Sequence, residues 1–368
     1  MTSLFTNRRA FLSGLLAASL APRPSWADVG APAYLAAGKT PSGGFVLCGL
    51  RADGSLAFEL PLPGRGHAAA GHPIRPEAVA FARRPGTYAL VLDCRSGDLL
   101  AEMTAPEGRH FYGHGAFSAD GSLLFTPEND YEAGEGRIGI WDAARSYRRI
   151  GEVASHGIGP HQILRLPGQD ILAVANGGID THPDTGRTKL NIPFMEPNLS
   201  YVSFDGDLLD QVAPPPEWHK NSLRHLAVRE DGLIACALQW QGEIAKAPPL
   251  LALHRRGEDL RFAAFEAPYH TRMNGYGGSV AFSGDGMRVA VTSPRGSEVQ
   301  IFDAETGTPL ERLTEADACG VAAAQGGFFL TAGTGHIRRG ALRAADAEGQ
   351  FPVAWDNHII NLALDRLS

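Results

Sequence analysis

Two stretches far apart in the chain share one pattern: G-A-F-S-A-D-G-S-L-L-F-T at residues 115–126 and S-V-A-F-S-G-D-G-M-R-V-A-V-T at residues 279–292. Each reads as a strand, a D-G turn and a second strand, the usual chemistry of a tight hairpin. A strand ending in Asp follows: I-G-I-W-D ending at Asp142 and V-Q-I-F-D ending at Asp303, with A-L-V-L-D ending at Asp93 as a third copy. Turns such as A-E-T-G-T-P and R-S-G-D lead into a fourth strand. Four antiparallel strands in a unit of about 45 residues form a β-propeller blade. With 44 Gly and 25 Pro, and no long apolar helical pattern beyond the N-terminus, the chain fits an all-β fold rich in turns.

Innermost strands are expected at residues 78–82, 115–118, 162–166, 226–229, 280–283, 320–324 and 359–364, which makes seven blades. No room remains after the last one for three more strands. A-Y-L-A-A-G-K, G-F-V-L-C-G-L and S-L-A-F-E-L near the N-terminus supply them. The C-terminal strand should therefore complete the first blade and close the ring, leaving no free edge strand. The longest insertion, residues 176–191, is expected to be a surface loop of the fourth blade.

The N-terminus reads as an export signal. T-N-R-R-A-F-L at residues 6–12 has the form of a twin-arginine motif, an apolar run follows, and S-W-A at residues 25–27 offers small residues for cleavage after Ala27. A signal over 1–27, a single propeller domain over 28–368 and a periplasmic location are expected, with a plain Sec signal as the alternative. The apolar run is too short for a membrane span. The net charge of −7 and scattered Lys and Arg give no electrostatic reason to expect nucleic acid. None of the four cysteines forms a C-x-x-C pair, and Cys48, Cys94 and Cys236 read as buried thiols.

A histidine recurs at one offset. Seven residues before the turn glycines Gly121, Gly168, Gly232, Gly286 and Gly326 stand His114, His161, His225, Ser279 and Cys319. His358 precedes the closing strand, and Ala78 holds the place in the second blade. In a propeller, the residues opening the inner strands converge on the central channel. Four imidazoles and a thiol meeting there are expected to bind a transition metal, with His114, His161, His225, Cys319 and His358 as ligands. Iron and copper both fit; a tetrahedral zinc or cuprous site stays open if only some of the five bind. A polar, water-filled hub is the alternative.

Arg224, Asn357, His110 and Tyr276 are candidates to orient the ligands or line a substrate site, together with Tyr112 and Asn274. Residues 128–136, E-N-D-Y-E-A-G-E-G, read as an acidic loop, and His182, Asp184, Arg187 and Lys189 lie in the long insertion. No P-loop, dinucleotide fingerprint or G-x-S-x-G in the right context appears, and no C-x-x-C-H for covalent haem.

The long motifs G-H-G-A-F-S-A-D-G-S-L-L-F-T-P-E-N-D-Y-E-A-G-E-G-R-I-G-I-W-D, G-I-G-P-H-Q and A-N-G-G-I-D-T-H-P-D-T-G-R-T-K-L-N resemble an uncharacterised family of bacterial periplasmic proteins. That family carries a domain of unknown function similar to the seven-bladed YVTN/WD-type propellers. The resemblance implies the fold and export. It also implies a genetic setting beside imelysin-like proteins and a di-haem oxidoreductase-like protein, linked to iron acquisition, and so names those as partners. Two functions follow as expectations: a metal-binding propeller in metal handling or a redox reaction, or a metal-free platform for a protein or ligand.

Overall fold

The computed structural model describes residues 25–83, 87–186, 188–264, 269–342 and 344–362. The twin-arginine motif and Arg187 lie outside the described residues. Seven antiparallel sheets form a seven-bladed β-propeller. Blade 1 is built from Tyr34–Lys39, Phe45–Leu50 and Leu56–Leu62, with Ala354–Asn361 as its inner strand. The closing register runs from Tyr34↔Asn361 to Lys39↔Ala354, so both ends of the ring share one sheet.

The repeated motifs act locally as their chemistry requires. Asp120 Oδ1 accepts from Ser122 N at 2.9 Å and from Ser118 Oγ at 2.7 Å. Asp285 does the same for Met287 N and Ser283 Oγ. The following glycines, Gly121 and Gly286, both take φ of 70°, a left-handed conformation that favours glycine. The Asp residues ending the third strands cap the next turn: Asp142 accepts from Ala144 N and Arg145 N, and Asp303 from Glu305 N and Thr306 N. Between blades, apolar faces interlock. Phe81, Phe111 and Trp141, for example, pack between blades 2 and 3.

The structure corrects the placement of blade 2. Its inner strand is Gly66–Gly71, and Glu77–Ala82, which contains Ala78, is the second strand. G-H-A-A-A-G lacks the β-branched and aromatic residues that mark a strand, so the richer E-A-V-A-F-A drew the assignment. The closing strand also begins earlier than expected, at Ala354, so His358 lies inside it. Segment 128–136 is a loop only over residues 131–134: its ends are strand, because Leu123–Asp130 pairs with Glu135–Asp142 up to Asp130↔Glu135. Glu128 is fully buried and accepts from Arg149 Nη1 at 2.6 Å and Nη2 at 3.0 Å, a structural ion pair inside blade 3.

Trp26 is buried, and its indole donates to His72 O at 2.9 Å. Cleavage after Ala27 would remove this contact. Among the described residues no helix is long and apolar enough to cross a membrane.

Candidate metal centre

Almost every inner strand breaks register where it passes the hub. The shift falls between Gly66 and Ala69 in blade 2, Pro160 and Gln162 in blade 4, Leu223 and His225 in blade 5, and Ala318 and Val321 in blade 7. In blade 1 it falls opposite Ala37, around His358. In blade 3 the inner strand divides into Arg109–Phe111 and Ala116–Phe117, with His114 in the gap. Only blade 6 keeps a regular ladder, with Ser279 opposite Thr292. A bulge re-aims the side chain it carries and is common beside functional sites.

The bulges bring five imidazoles together. The ring of His114 has its centroid 4.7 Å from that of His358, 5.0 Å from His67, 5.3 Å from His161 and 5.8 Å from His225. His161 and His225 lie 4.7 Å apart, and His225 and His358 4.5 Å. His67, His114 and His358 place ligand nitrogens within 4.8 Å of one another, and so do His114, His161 and His225. Of the histidines expected at the hub, all four are there.

His67 is the fifth, and the sequence reading missed it. It stands seven residues before Ile74, where other blades have the turn glycine. The shared pattern G-H-x-A, Gly66-His67-Ala68-Ala69 beside Gly113-His114-Gly115-Ala116, was the signal that could have found it. Gly113 is needed for this meeting: its φ is 93°, and a Cβ there would sit 2.6 Å from His67 Cδ2.

Cys319 belongs to neither group of ligand atoms. Its thiol donates to Asp317 Oδ1 at 3.7 Å, and burial, then the Asp317 carboxylate, push its pKa up and disfavour the thiolate.

Burial holds His114, His161, His225 and His358 well below the usual histidine range, and neighbouring imidazoles add to the effect. All four are neutral. His114 Nε2, His161 Nδ1 and His358 Nε2 are buried without a hydrogen-bond partner in the structure. His225 Nδ1 meets Gln162 Oε1 at 3.2 Å; the same oxygen accepts from Leu226 N at 3.2 Å, and Gln162 Nε2 donates to Leu226 O at 3.2 Å. Gln162 thus fixes the His225 ring from the neighbouring blade, as partners of metal-binding histidines do.

The buried carboxylate of Asp356 lies 3.9 Å from His67 Nδ1, with Arg65 Nε at 2.6 Å and Arg83 Nη1 at 3.3 Å. Burial alone would raise its pKa; His67 and Arg83 outweigh that and hold it below the usual carboxylate range.

The other candidates are distributed around this centre. Arg224 is buried in the blade 5 bulge, and its charge helps depress His161 and His225. Asn357 Nδ2 donates to Tyr276 Oη at 3.4 Å, and the Arg295 guanidinium stacks 4.5 Å from the Tyr276 ring. His110 contacts Asn129 Nδ2 at 3.2 Å and packs 5.2 Å from Tyr112, whose ring is 6.2 Å from His161. In the insertion, His182 Nδ1 accepts from Asp184 N and Lys189 donates to Gln241, contacts within the rim.

No curated protein sequence is detectably similar to the chain. Among solved structures, one titled Kuenenia stuttgartiensis Hydrazine Synthase is 13% identical, with a TM-score of 0.62, and the match covers 84% of this chain and 96% of that one. At that identity the likeness is one of fold. The family described as "Protein of unknown function (DUF1513)" matches residues 60–362, from the last strand of blade 1 round to its closing strand, and the chain belongs to that family.

Proposed function

We propose that the propeller holds one transition-metal ion, iron or copper, at its hub through His67, His114, His161, His225 and His358, and serves metal handling or a redox reaction. The observation that carries this reading is the set of buried ring nitrogens on His114, His161 and His358 that face their neighbours without a hydrogen-bond partner. Leaving such groups unsatisfied costs about 1–3 kcal/mol each, and metal coordination removes that cost. Neutral imidazoles are also the form in which histidine binds metal. His114 belongs to both groups of three. A neutral imidazole offers one lone pair to a metal, so the two groups serve one ion rather than two. A set of more than four nitrogens suits iron or copper better than tetrahedral zinc.

The same proposal places the protein in the periplasm, exported by the twin-arginine route, which the motif at residues 6–12 supports. Imelysin-like and di-haem oxidoreductase-like proteins of an iron-uptake system are the partners that suit it. Protein exported by its own route should contain iron or copper in stoichiometric amount on elemental analysis. The His161→Ala/His225→Ala variant should lose it. Stoichiometric metal that persists unchanged in the double variant overturns the assignment.

A further inference from the structure

Beneath the imidazoles the seven inner strands enclose a cavity of about 140 Å³. His114, His225 and His358 line one end of it, so an ion held by them presents one side to this space. Ala116, Ala227 and Ala281 stand two residues beyond the hub positions of blades 3, 5 and 6 and form part of its wall. Larger side chains at these places would fill the space. Arg165 and Asn361, from blades 4 and 1, line it further along their strands. At about 10–15 Å³ for each water-sized probe, the cavity admits a ligand of a few heavy atoms.

We infer that this cavity is an anion pocket, in which a small monoanion takes the open position on the hub ion; the inference rests on the metal reading above. The argument is one of charge. Both groups of ligand atoms are entirely imidazole, and neutral imidazoles leave the charge of the ion uncompensated. Cys319 lies outside the groups, its sulfur turned to Asp317 Oδ1 at 3.7 Å. Among the described residues Asp356 is the buried carboxylate beside the ring; it faces His67 Nδ1 at 3.9 Å and is paired with Arg65 and Arg83. Arg224 is buried beside the hub, and Arg165, whose Nη1 donates to Leu166 O and Gln169 O, lines the cavity. An uncompensated cation in an interior of low dielectric is costly, and a monoanion entering from the cavity lowers that cost. The alkyl walls leave room for a small body and give the pocket no second cation of its own besides Arg165.

The test uses sodium azide as the probe on the full mature protein after its metal content has been measured. Metal-loaded protein should develop an azide-dependent charge-transfer band that saturates. Ala227→Leu and the gentler Ala227→Val should keep the metal and the circular dichroism of the fold while weakening azide about tenfold or more, because they fill the cavity. Arg165→Gln should weaken azide without changing metal content. Loaded protein with no azide-dependent band, or azide affinity unchanged in the loaded Ala227 variants, overturns the anion pocket and leaves the metal centre standing. Protein that takes up no metal overturns the metal reading, and the pocket with it.

Discussion

Acid should unfold the metal-free protein unusually steeply, and the hub histidines set the slope. A histidine kept neutral by the fold binds a proton only after unfolding. Its unfolded pKa is about 6.5. Above that pH neither state is protonated and the group contributes nothing to the pH dependence. Below it the unfolded state binds more protons, so stability falls as pH falls, until the depressed folded pKa is reached. His114, His225 and His358 are 3%, 3% and 5% exposed and all shifted well down, chiefly by burial. One pH unit below 6.5, each costs about 1.4 kcal/mol, so the three together cost about 4 kcal/mol at pH 5.5. His161 shifts the same way but is partly exposed, so it is left out of that figure. His72, lowered to about 4 by burial, adds about 1.4 kcal/mol more at the same pH, because its Nδ1 must stay unprotonated to accept from Ile74 N and Arg75 N. Against a total stability of about 5–15 kcal/mol, this is a large fraction. Urea midpoints of metal-free protein, measured from pH 8 to pH 5, should be flat above about pH 7 and then fall. His225→Gln should reduce the slope by about 1.4 kcal/mol per pH unit, whereas added metal should raise the midpoints across the whole range without flattening the fall, because a metal-bound hub binds no more protons than a neutral one. A stability that stays level from pH 8 to pH 5 in metal-free protein would refute the claim that these rings are neutral because the fold buries them.

Three further outcomes follow from particular contacts. A chain ending before Ala354 leaves blade 1 with three strands and an open edge beside Tyr34–Lys39; it should fail to fold, giving aggregated protein and no cooperative transition on heating. A chain starting at Asp28 should be less stable than one starting at Pro24 by about 3 kcal/mol or more, read from denaturant midpoints, because it lacks the buried Trp26 ring and its bond to His72 O. Gln162→Leu removes the group that holds His225 Nδ1 and should weaken metal binding about 10–100-fold in a chelator competition, with little change in secondary structure.

The blade repeat could be read from the chain because its cues are local. A D-G turn needs an Asp side chain to gather amides and a glycine in the left-handed region, and both recur at fixed places. Closure could be read because a last strand without partners needs three from elsewhere. The hub histidines of blades 3, 4 and 5 followed from the same count, and His358 of blade 1 from its place beside the closing strand. His67 did not, for two physical reasons. Its strand is mostly alanine and glycine, whose strand character comes only from packing between neighbouring blades. Its turn, H-P-I-R-P, uses prolines and the His72 ring in place of D-G. Cys319 shares the offset but not the outcome. In blade 7 the register shift spans both Cys319 and Gly320, and the thiol meets Asp317. Offset along the chain predicts proximity to the axis; the local bulge decides where the side chain goes.

That distinction also explains why the imidazoles occupy five consecutive blades, 1 to 5, and stop there. In a regular strand the hub residue must alternate with its neighbours across the sheet, and the ladder hydrogen bonds hold it there. A bulge gives up one pairing to free the side chain for the axis. Blade 6 keeps its pairing and uses its hub position otherwise: Ser279 Oγ accepts from Val321 N at 3.4 Å, and its partner Thr292 donates to Cys319 O at 2.6 Å. Blades 6 and 7 are thereby latched to each other at the level where the other five turn their histidines inward. The imidazoles thus come from one arc of the ring, where Gln162 also bridges blades 4 and 5, while in blade 6 the hub position serves only to bind its neighbour. The irregular strands of the arc are tolerated because every blade is held on both sides by packed neighbours in a closed ring.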